Sequence, residues 1–271
     1  TVVGDGQRLA EQRPGPPAAP RAAPLAGAPT RRSPPGPGLD LLEPLRCRDG
    51  GDIAAVPLSV DESLQRIEAR LSEIAQAGAI PAMVGGDHTV TLGGLRALAK
   101  QHGPLGLIHF DAHSDTYGPA WGFDIHHGTI FRNAVQEGLL RPREVIQIGI
   151  RGPLTEAHDL SFAEQAGFDV VMIDEVKRDL EGAYGKIAAF AGRGPIYVSF
   201  DMDAIDPAYA PGTGTPVPGG LTSFEALSLA RALAGVSIVG LDVVEISPDH
   251  DSTGNTSLLA ATLLAQMLAS L

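Results

Sequence analysis

Three short clusters of histidine and aspartate could do metal chemistry, and they lie at residues 85–88, 111–115 and 201–203. In the second cluster the polar residues are spaced by two, which places their side chains on one side of an extended chain. Four carboxylates facing one cavity would repel one another, and a pair of divalent cations removes that repulsion. The candidate metal ligands are His88, Asp111, His113, Asp115, Asp201 and Asp203.

The ligand types indicate which metals this site would select. Two imidazoles and four carboxylates without a thiolate favour manganese, with iron, nickel or zinc as alternatives, over a structural zinc site. Six protein ligands exceed what one catalytic ion with an open position needs. Two ions about 3.5 Å apart, sharing carboxylates and a hydroxide, would use all of them. Each cluster alone has an ordinary explanation in loop capping, and it is their combination that predicts a two-metal hydrolase.

Each cluster directly follows a short apolar segment that predicts a buried strand. These segments are Ile80–Val84, Leu105–Phe110 and Ile196–Phe200, and the ends of parallel strands are where open sheets bind ligands. Further strands are predicted at 145–150, 170–173 and 236–244.

Helical periodicity separates these strands. Ser59 followed by Glu62 is typical of a capping box, and Gly78 ends the helix that it opens. A second helix is predicted around residues 92–99. Strands alternating with helices predict an α/β fold, a three-layer α/β/α arrangement with a mainly parallel sheet. The apolar positions of the first helix are Leu64, Ile67, Leu71 and Ile74.

The first 46 residues differ from the rest of the chain. They are rich in Pro, Ala, Gly and Arg and show no hydrophobic periodicity, so residues 1–46 are predicted to be loop-like or disordered. Residues 47–271 are predicted to form the α/β domain.

Composition excludes several function classes. The formal net charge is −12, whereas nucleic acids and anionic membranes need a basic surface, so neither is expected as a partner. One cysteine, Cys47, allows no disulfide within the chain and suits a cytoplasmic location. No apolar run reaches the length of a membrane span.

The chain resembles the ureohydrolase family, which contains arginases, agmatinases, guanidinobutyrases and proclavaminate amidinohydrolases. The resemblance covers residues 47–271 and implies an arginase-like fold with two Mn²⁺ ions per subunit. It implies that Asp111 and Asp201 bridge both ions, with His88 and Asp115 on one ion and His113 and Asp203 on the other. The matching segments are 85–88, 111–115, 127–129, 199–203 with 206–207, 212–216 with 219–220, and 241–245.

The resemblance also implies the catalytic roles. A metal-bridging hydroxide attacks the guanidinium carbon, and Asp115 passes a proton to the leaving amine. Glu245 pairs with the guanidinium, and His127 moves protons or orients the leaving amine. His126 is also a histidine, but the family pattern places the functional histidine directly before glycine, which selects His127.

Substrate choice is expected to depend on the loop between Asp115 and His127. Arginases carry Asn and Ser there for the α-amino and α-carboxylate groups, whereas this loop carries aromatic residues, Trp121 among them, which disfavours arginase. Agmatine ends in an ammonium that Asp124 could pair, so hydrolysis of agmatine to putrescine and urea is the first hypothesis. Guanidinobutyrase, or another guanidino-acid hydrolase, is the second, with Arg151 as the candidate cation.

Two further hypotheses stay open. A metal-binding but inactive homologue is suggested by the atypical N-terminal segment, in which Val2-Val3-Gly4 is similar to a remnant of the family's first strand. A single-zinc deacetylase relative of the fold would not use the full ligand set. The resemblance implies a homo-oligomer, either a trimer or a dimer of trimers, and a small cationic guanidine as the substrate.

Overall fold

A computed structural model describes residues 2–5, 47–120, 122–153 and 159–271 of the chain. Within these ranges eight strands form one sheet in the order β2-β1-β3-β8-β7-β4-β5-β6, and every neighbouring pair is parallel. The strands are β1 (Val2–Asp5), β2 (Asp49–Ile53), β3 (Ala82–Val84), β4 (Leu105–Phe110), β5 (Leu140–Ile150), β6 (Asp169–Met172), β7 (Ile196–Asp201) and β8 (Ile238–Val244).

Helices connect the strands. Ser59 caps the first helix by accepting a hydrogen bond from the Glu62 backbone N–H, as the capping signal predicts. In the described part of the chain the α-helices are α1 (Val60–Gln76), α2 (Val90–His102), α3 (Ile130–Gln136), α4 (Ser161–Ala166), α5 (Ile173–Arg178), α6 (Leu180–Ala188), α7 (Ser223–Arg231) and α8 (Asn255–Leu268). Short 3-10 turns lie at His127–Thr129, Met202–Ala204 and Pro248–His250.

The two faces of the sheet pack against different helices, because successive side chains of a strand point to opposite sides. In β4, Leu107 packs with the buried face of α2, whereas Ile108 and Phe110 pack with the cluster formed by α5 to α8. This is the predicted three-layer α/β/α fold. His109 and Asp111 alternate with Ile108 and Phe110 and therefore lie on the α2 side.

All six predicted strands are confirmed, and the ends of most are shifted by a few residues. β4 matches its predicted bounds, and β5 begins five residues earlier than expected, at Leu140. β2 was not predicted because its sequence, Asp-Gly-Gly-Asp-Ile, contains no apolar run, and its position at the edge of the sheet does not require one.

The N-terminal residues contribute to the sheet. β1 lies between β2 and β3, so Val2-Val3-Gly4 is a strand, as its similarity to the family's first strand suggested. Residue 1 and residues 6–46 lie outside the described residues, and the loop-like or disordered character of that segment stays a prediction.

Candidate metal centre

Four adjacent strands bring the predicted ligands together. β3, β8, β7 and β4 are consecutive neighbours, and their carboxyl ends therefore open at one edge of the sheet. His88 follows β3, Asp111 follows β4 and Asp201 ends β7. Glu245 follows β8 at the same edge. The topology thus explains why residues far apart in sequence share one site.

His88 lies at the centre of the ligand set and is fully buried. Its Nδ1 atom is 3.0 Å from Asp115 Oδ2, 3.1 Å from Asp201 Oδ2 and 3.4 Å from Asp111 Oδ2. Three carboxylate oxygens from two strand ends therefore converge on one imidazole nitrogen.

His113 forms the second half of the set. Its Nδ1 is 2.9 Å from Asp203 Oδ2 and 3.4 Å from Asp111 Oδ1. The two oxygens of Asp111 thus face different histidines, which is the arrangement that a bridging carboxylate requires. Asp203 is held in place because the Ala112 backbone N–H and the Thr215 hydroxyl both donate to it.

The atoms present fit a pair of divalent cations. His88 Nδ1 is buried within 3.4 Å of three carboxylates but makes no hydrogen bond of acceptable geometry. A buried nitrogen without a hydrogen bond, surrounded by hard oxygen donors, is the environment that a metal ion satisfies. The grouping of Asp111, His113 and Asp203 has the same composition of donors.

Charge repulsion in this cluster shifts the ligands' acidities. Burial and the neighbouring Asp203 and Asp111 carboxylates hold the pKa of Asp201 well above its usual value. Burial alone would lower the pKa of His88, but the close carboxylates of Asp111, Asp115 and Asp201 raise it well above the usual value. Bound cations would favour the deprotonated forms of these ligands.

Two site residues have strained backbones. Asp115 has a φ of 50° and Glu245 a φ of 58°, both in the left-handed region that residues other than glycine rarely adopt. Such conformations cost free energy and persist where the surrounding structure imposes them, which is common at active sites. The Glu245 N–H donates to Gly86 O at 2.6 Å and so fixes this turn against the end of β3.

Glu245, His127 and Asp87 form a second cluster beside the ligand set. Their donor atoms all lie within 4.8 Å of one another. Burial and the nearby Asp87 raise the pKa of Glu245 to about 8. Burial lowers the pKa of His127, but Asp87, whose Oδ2 is 3.6 Å from His127 Nδ1, contributes most to raising it to about 9. In this cluster His127 can donate a proton, and the carboxylate of Glu245 can bind a cation.

The loop predicted to set specificity is described in part. Trp121 lies outside the described residues. Asp124 is exposed, and its backbone carbonyl accepts hydrogen bonds from Thr129 and Asn133. His126 caps the 3-10 turn by accepting from the Gly128 N–H through Nδ1, which supports the assignment of the catalytic position to His127.

Arg151 does not serve as a free cation for a substrate carboxylate, and that expectation is wrong. Its guanidinium donates to backbone carbonyls instead, at 2.6 Å to Val217 and 2.7 Å to Asp203. It therefore connects the end of β5 to the segment that follows the third ligand cluster. Asp206 likewise braces its loop by accepting from the N–H groups of Gly219 and Gly220.

His109 has a larger part in the site than its sequence context suggested. It belongs to none of the three sequence clusters, and it is fully buried. However, its Nε2 lies 2.8 Å from Asp111 Oδ2, and its ring contacts those of His88 and Phe131. Its position two residues before Asp111 on a strand was the available signal, because such residues share a face.

Comparison with known proteins agrees with this geometry. The sequence matches the Arginase family over residues 2–269. The chain belongs to the arginase family. It is 45% identical over 231 residues to the human protein "Guanidino acid hydrolase, mitochondrial", a match that spans 85% of this chain and 66% of that protein. It is 44% identical over 232 residues to the chicken protein "Agmatinase, mitochondrial", across 85% of this chain and 68% of that protein.

The fold of this arginase-family chain is also that of solved structures. Proclavaminate amidino hydrolase from Streptomyces clavuligerus superposes with a TM-score of 0.88 at 39% identity, covering 99% of this chain and 90% of that one. Arginase-family enzymes use a binuclear metal centre, and the described residues contain His/Asp groups that could bind metal ions. Among the described residues, none of the helices combines the length and apolar character needed to cross a membrane.

Proposed function

We propose that this arginase-family chain is a binuclear manganese hydrolase whose preferred substrate is agmatine, which it cleaves to putrescine and urea. The observation that carries the proposal is the convergence of three carboxylates on the bare Nδ1 of His88, next to a second His/Asp group that shares Asp111. His88, Asp111, Asp115 and Asp201 would hold one ion, and Asp111, His113, Asp201 and Asp203 the other. Two bound cations supply an activated water as the nucleophile at neutral pH.

The protein's own residues would orient the guanidinium. Glu245 lies at the end of β8, and its Oε1 accepts the His88 backbone N–H at 2.8 Å, which fixes the carboxylate beside the ligand set. A carboxylate held in this way can accept the planar N–H donors of a guanidinium. Because binding a cation favours the charged carboxylate, the substrate would lower the raised pKa of Glu245.

Proton transfer would use Asp115 and His127. Asp115 is 4% exposed and its Oδ2 lies 3.0 Å from His88 Nδ1, so it could take a proton from the nucleophile. His127 has a pKa of about 9 and is protonated at neutral pH, so it can donate a proton to, or orient, the leaving amine. Asp87 keeps His127 in that form.

Charge favours agmatine over a guanidino acid. Two arginines of the described residues near the site donate to backbone carbonyls: Arg151 to Val217 and Asp203, and Arg132 through its Nε to Thr116 and Tyr117. The guanidinium of Arg151 is thus engaged within the fold rather than directed at a substrate carboxylate. The exposed Asp124 carboxylate and the net charge of −12 instead suit a substrate with two positive ends.

A guanidino acid such as guanidinobutyrate is the second candidate. It is favoured by the name of the human relative, a guanidino acid hydrolase at 45% identity. An inactive homologue is the third, and it is weakened by the presence of β1 in the sheet and by the convergence of all six proposed ligands.

A substrate panel tests the proposal. Protein loaded with Mn²⁺ is assayed for urea with agmatine, guanidinobutyrate, guanidinopropionate and arginine. The proposal expects the highest kcat/KM for agmatine. If a guanidino acid is hydrolysed faster than agmatine, that acid is the substrate and the agmatine proposal is wrong. If the protein binds two metal ions but releases no urea from any guanidine, it is an inactive homologue.

The biological setting is part of the same proposal. We expect a homo-oligomer, a trimer or a hexamer, in the cytoplasm, without nucleic-acid or membrane partners. Light scattering coupled to size exclusion would test the oligomeric state directly.

A further inference from the structure

A buried carboxylate that the proposed mechanism does not use lies one layer behind the metal ligands. Asp242 of β8 is fully buried and has no cationic partner at hydrogen-bonding distance among the described residues. Instead it accepts three hydroxyl groups, from Thr91, Tyr197 and Ser199, each at 2.7 Å. A buried charge requires such compensation, and three hydroxyl donors, one on α2 and two on β7, form a built site rather than a chance contact.

The backbone makes room for this arrangement. A Cβ atom at Gly94 of α2 would come within 2.7 Å of the Tyr197 hydroxyl, and one at Gly240 of β8 within 3.1 Å of its ring. The two glycines therefore allow Tyr197 to reach Asp242 from the neighbouring strand.

Ser199 connects this carboxylate to a proposed metal ligand. Its Oγ is 2.7 Å from Asp242 Oδ1 and 2.8 Å from His88 Nε2. A hydroxyl has one hydrogen, and a carboxylate has none to give. With Asp242 ionised, Ser199 therefore donates to Asp242, and its oxygen accepts from an N–H at His88 Nε2.

That direction of donation decides the form of His88. A neutral imidazole carries one N–H, and with the hydrogen at Nε2 the lone pair is at Nδ1, which faces Asp111, Asp115 and Asp201. The opposite direction, in which a protonated Asp242 donates to Ser199 and Ser199 to His88, would place the hydrogen at Nδ1 and oppose metal binding.

We propose that Asp242 and Ser199 are positioning residues that hold the His88 hydrogen at Nε2 and so keep Nδ1 open for one of the two metal ions. This inference rests on the proposed metal centre. It concerns only the ion at His88, because in the described part of the chain His113 has no such hydroxyl at its Nε2. The affinity of the metal site at His113 therefore serves as an internal reference for the affinity of the site at His88.

Metal titration of three variants tests whether Asp242 and Ser199 position His88. Metal-free protein is titrated with Mn²⁺, and free Mn²⁺ is followed by electron paramagnetic resonance so that both affinities are obtained. Ser199→Ala is expected to weaken one site by about 10–100-fold, the usual effect of losing such a partner, and to leave the other unchanged.

Asp242→Asn is the sharper variant because it changes few atoms. Its carbonyl would keep accepting from Tyr197 and Thr91 at the Oδ2 position, which places the amide N–H₂ toward Ser199. The amide would then donate to Ser199 and turn its hydrogen toward His88. Asp242→Asn should therefore weaken the same site at least as much as Ser199→Ala.

Tyr197→Phe is the matched control. It also removes a hydroxyl from Asp242 but leaves the bond between Asp242 and Ser199 intact, so Mn²⁺ affinity should stay within about twofold of wild type even where the melting temperature falls. Equal Mn²⁺ affinity of Ser199→Ala and wild type, or equal losses in Ser199→Ala and Tyr197→Phe, would overturn the proposal. Wild type that binds no Mn²⁺ would refute the metal centre instead.

A measurement on the wild-type protein does not depend on how the variants fold. ¹⁵N spectra of the zinc-loaded protein should show His88 with a slowly exchanging hydrogen at Nε2. A His88 Nε2 without a hydrogen would mean that Ser199 donates to it, and the inference would be wrong.

Discussion

Replacing Asp87 with asparagine isolates the electrostatic support of His127. Asparagine can still accept the Thr89 N–H through its Oδ1, as Asp87 does at 2.9 Å, so the local backbone should be kept. The other carboxylate oxygen, 3.6 Å from His127 Nδ1, becomes an N–H₂ donor. A donor in that place favours neutral His127 rather than its protonated form.

The expected size of the change in the pKa of His127 follows from the contribution of Asp87 to that pKa. Burial alone lowers the pKa of His127 below its ordinary value, and Asp87 contributes the largest upward effects that bring it to about 9. Without Asp87 the pKa should fall toward the ordinary value of about 6.5, so a decrease of one to two units is expected. If protonated His127 serves catalysis, activity is present below this pKa and is lost as the pH rises through it.

The assay is the pH dependence of kcat/KM for urea release, measured between pH 6.5 and 10.5 with saturating Mn²⁺. The alkaline limb of the pH profile of Asp87→Asn should lie about one to two pH units below that of the wild-type protein. Bound cations act on both proteins alike, so the difference between them is the relevant quantity. Asp61→Asn, on the exposed first turn of α1, is the control. An unchanged alkaline limb in Asp87→Asn would refute the role given to this pair.

Three further outcomes follow from the contacts. Glu245→Gln should lower kcat/KM about 100-fold, since a charge-assisted bond to the guanidinium is lost, while metal content measured by mass spectrometry stays at the wild-type level. Arg151→Met should lower the free energy of unfolding by about 3 kcal/mol in urea denaturation, because backbone carbonyls lose their donor. The preference between agmatine and guanidinobutyrate should stay the same, and a changed preference would mean that Arg151 contacts the substrate. Chelation of the metals should abolish urea release and lower the melting temperature, and added Mn²⁺ at about 100 times its Kd should recover about 2.7 kcal/mol of stability.

Much of the fold was predictable because it depends on local patterns. Ser59 and Glu62 gave the start of α1, and the apolar run before Asp111 gave β4. β2 was not predictable in the same way, because an edge strand bonds through its backbone and its side chains carry little signal.

The proposed ligands could be selected from sequence, but their supports could not. Ser199 and Asp242 lie on neighbouring strands and are paired in the register of β7 and β8, which only the sheet order reveals. The role of Arg151 could not be predicted because most of the carbonyls that it binds lie more than 50 residues away in sequence. Charge alone suggested a substrate contact where the fold uses the side chain internally.

The central claim is that two metal ions, held by the six proposed ligands, hydrolyse a guanidine. Urea release from agmatine by metal-free protein supplied with increasing equivalents of Mn²⁺ tests it most directly. The account predicts that activity rises until two ions are bound per chain and then stays constant. Full activity with one ion, or activity that is independent of added metal, would contradict it.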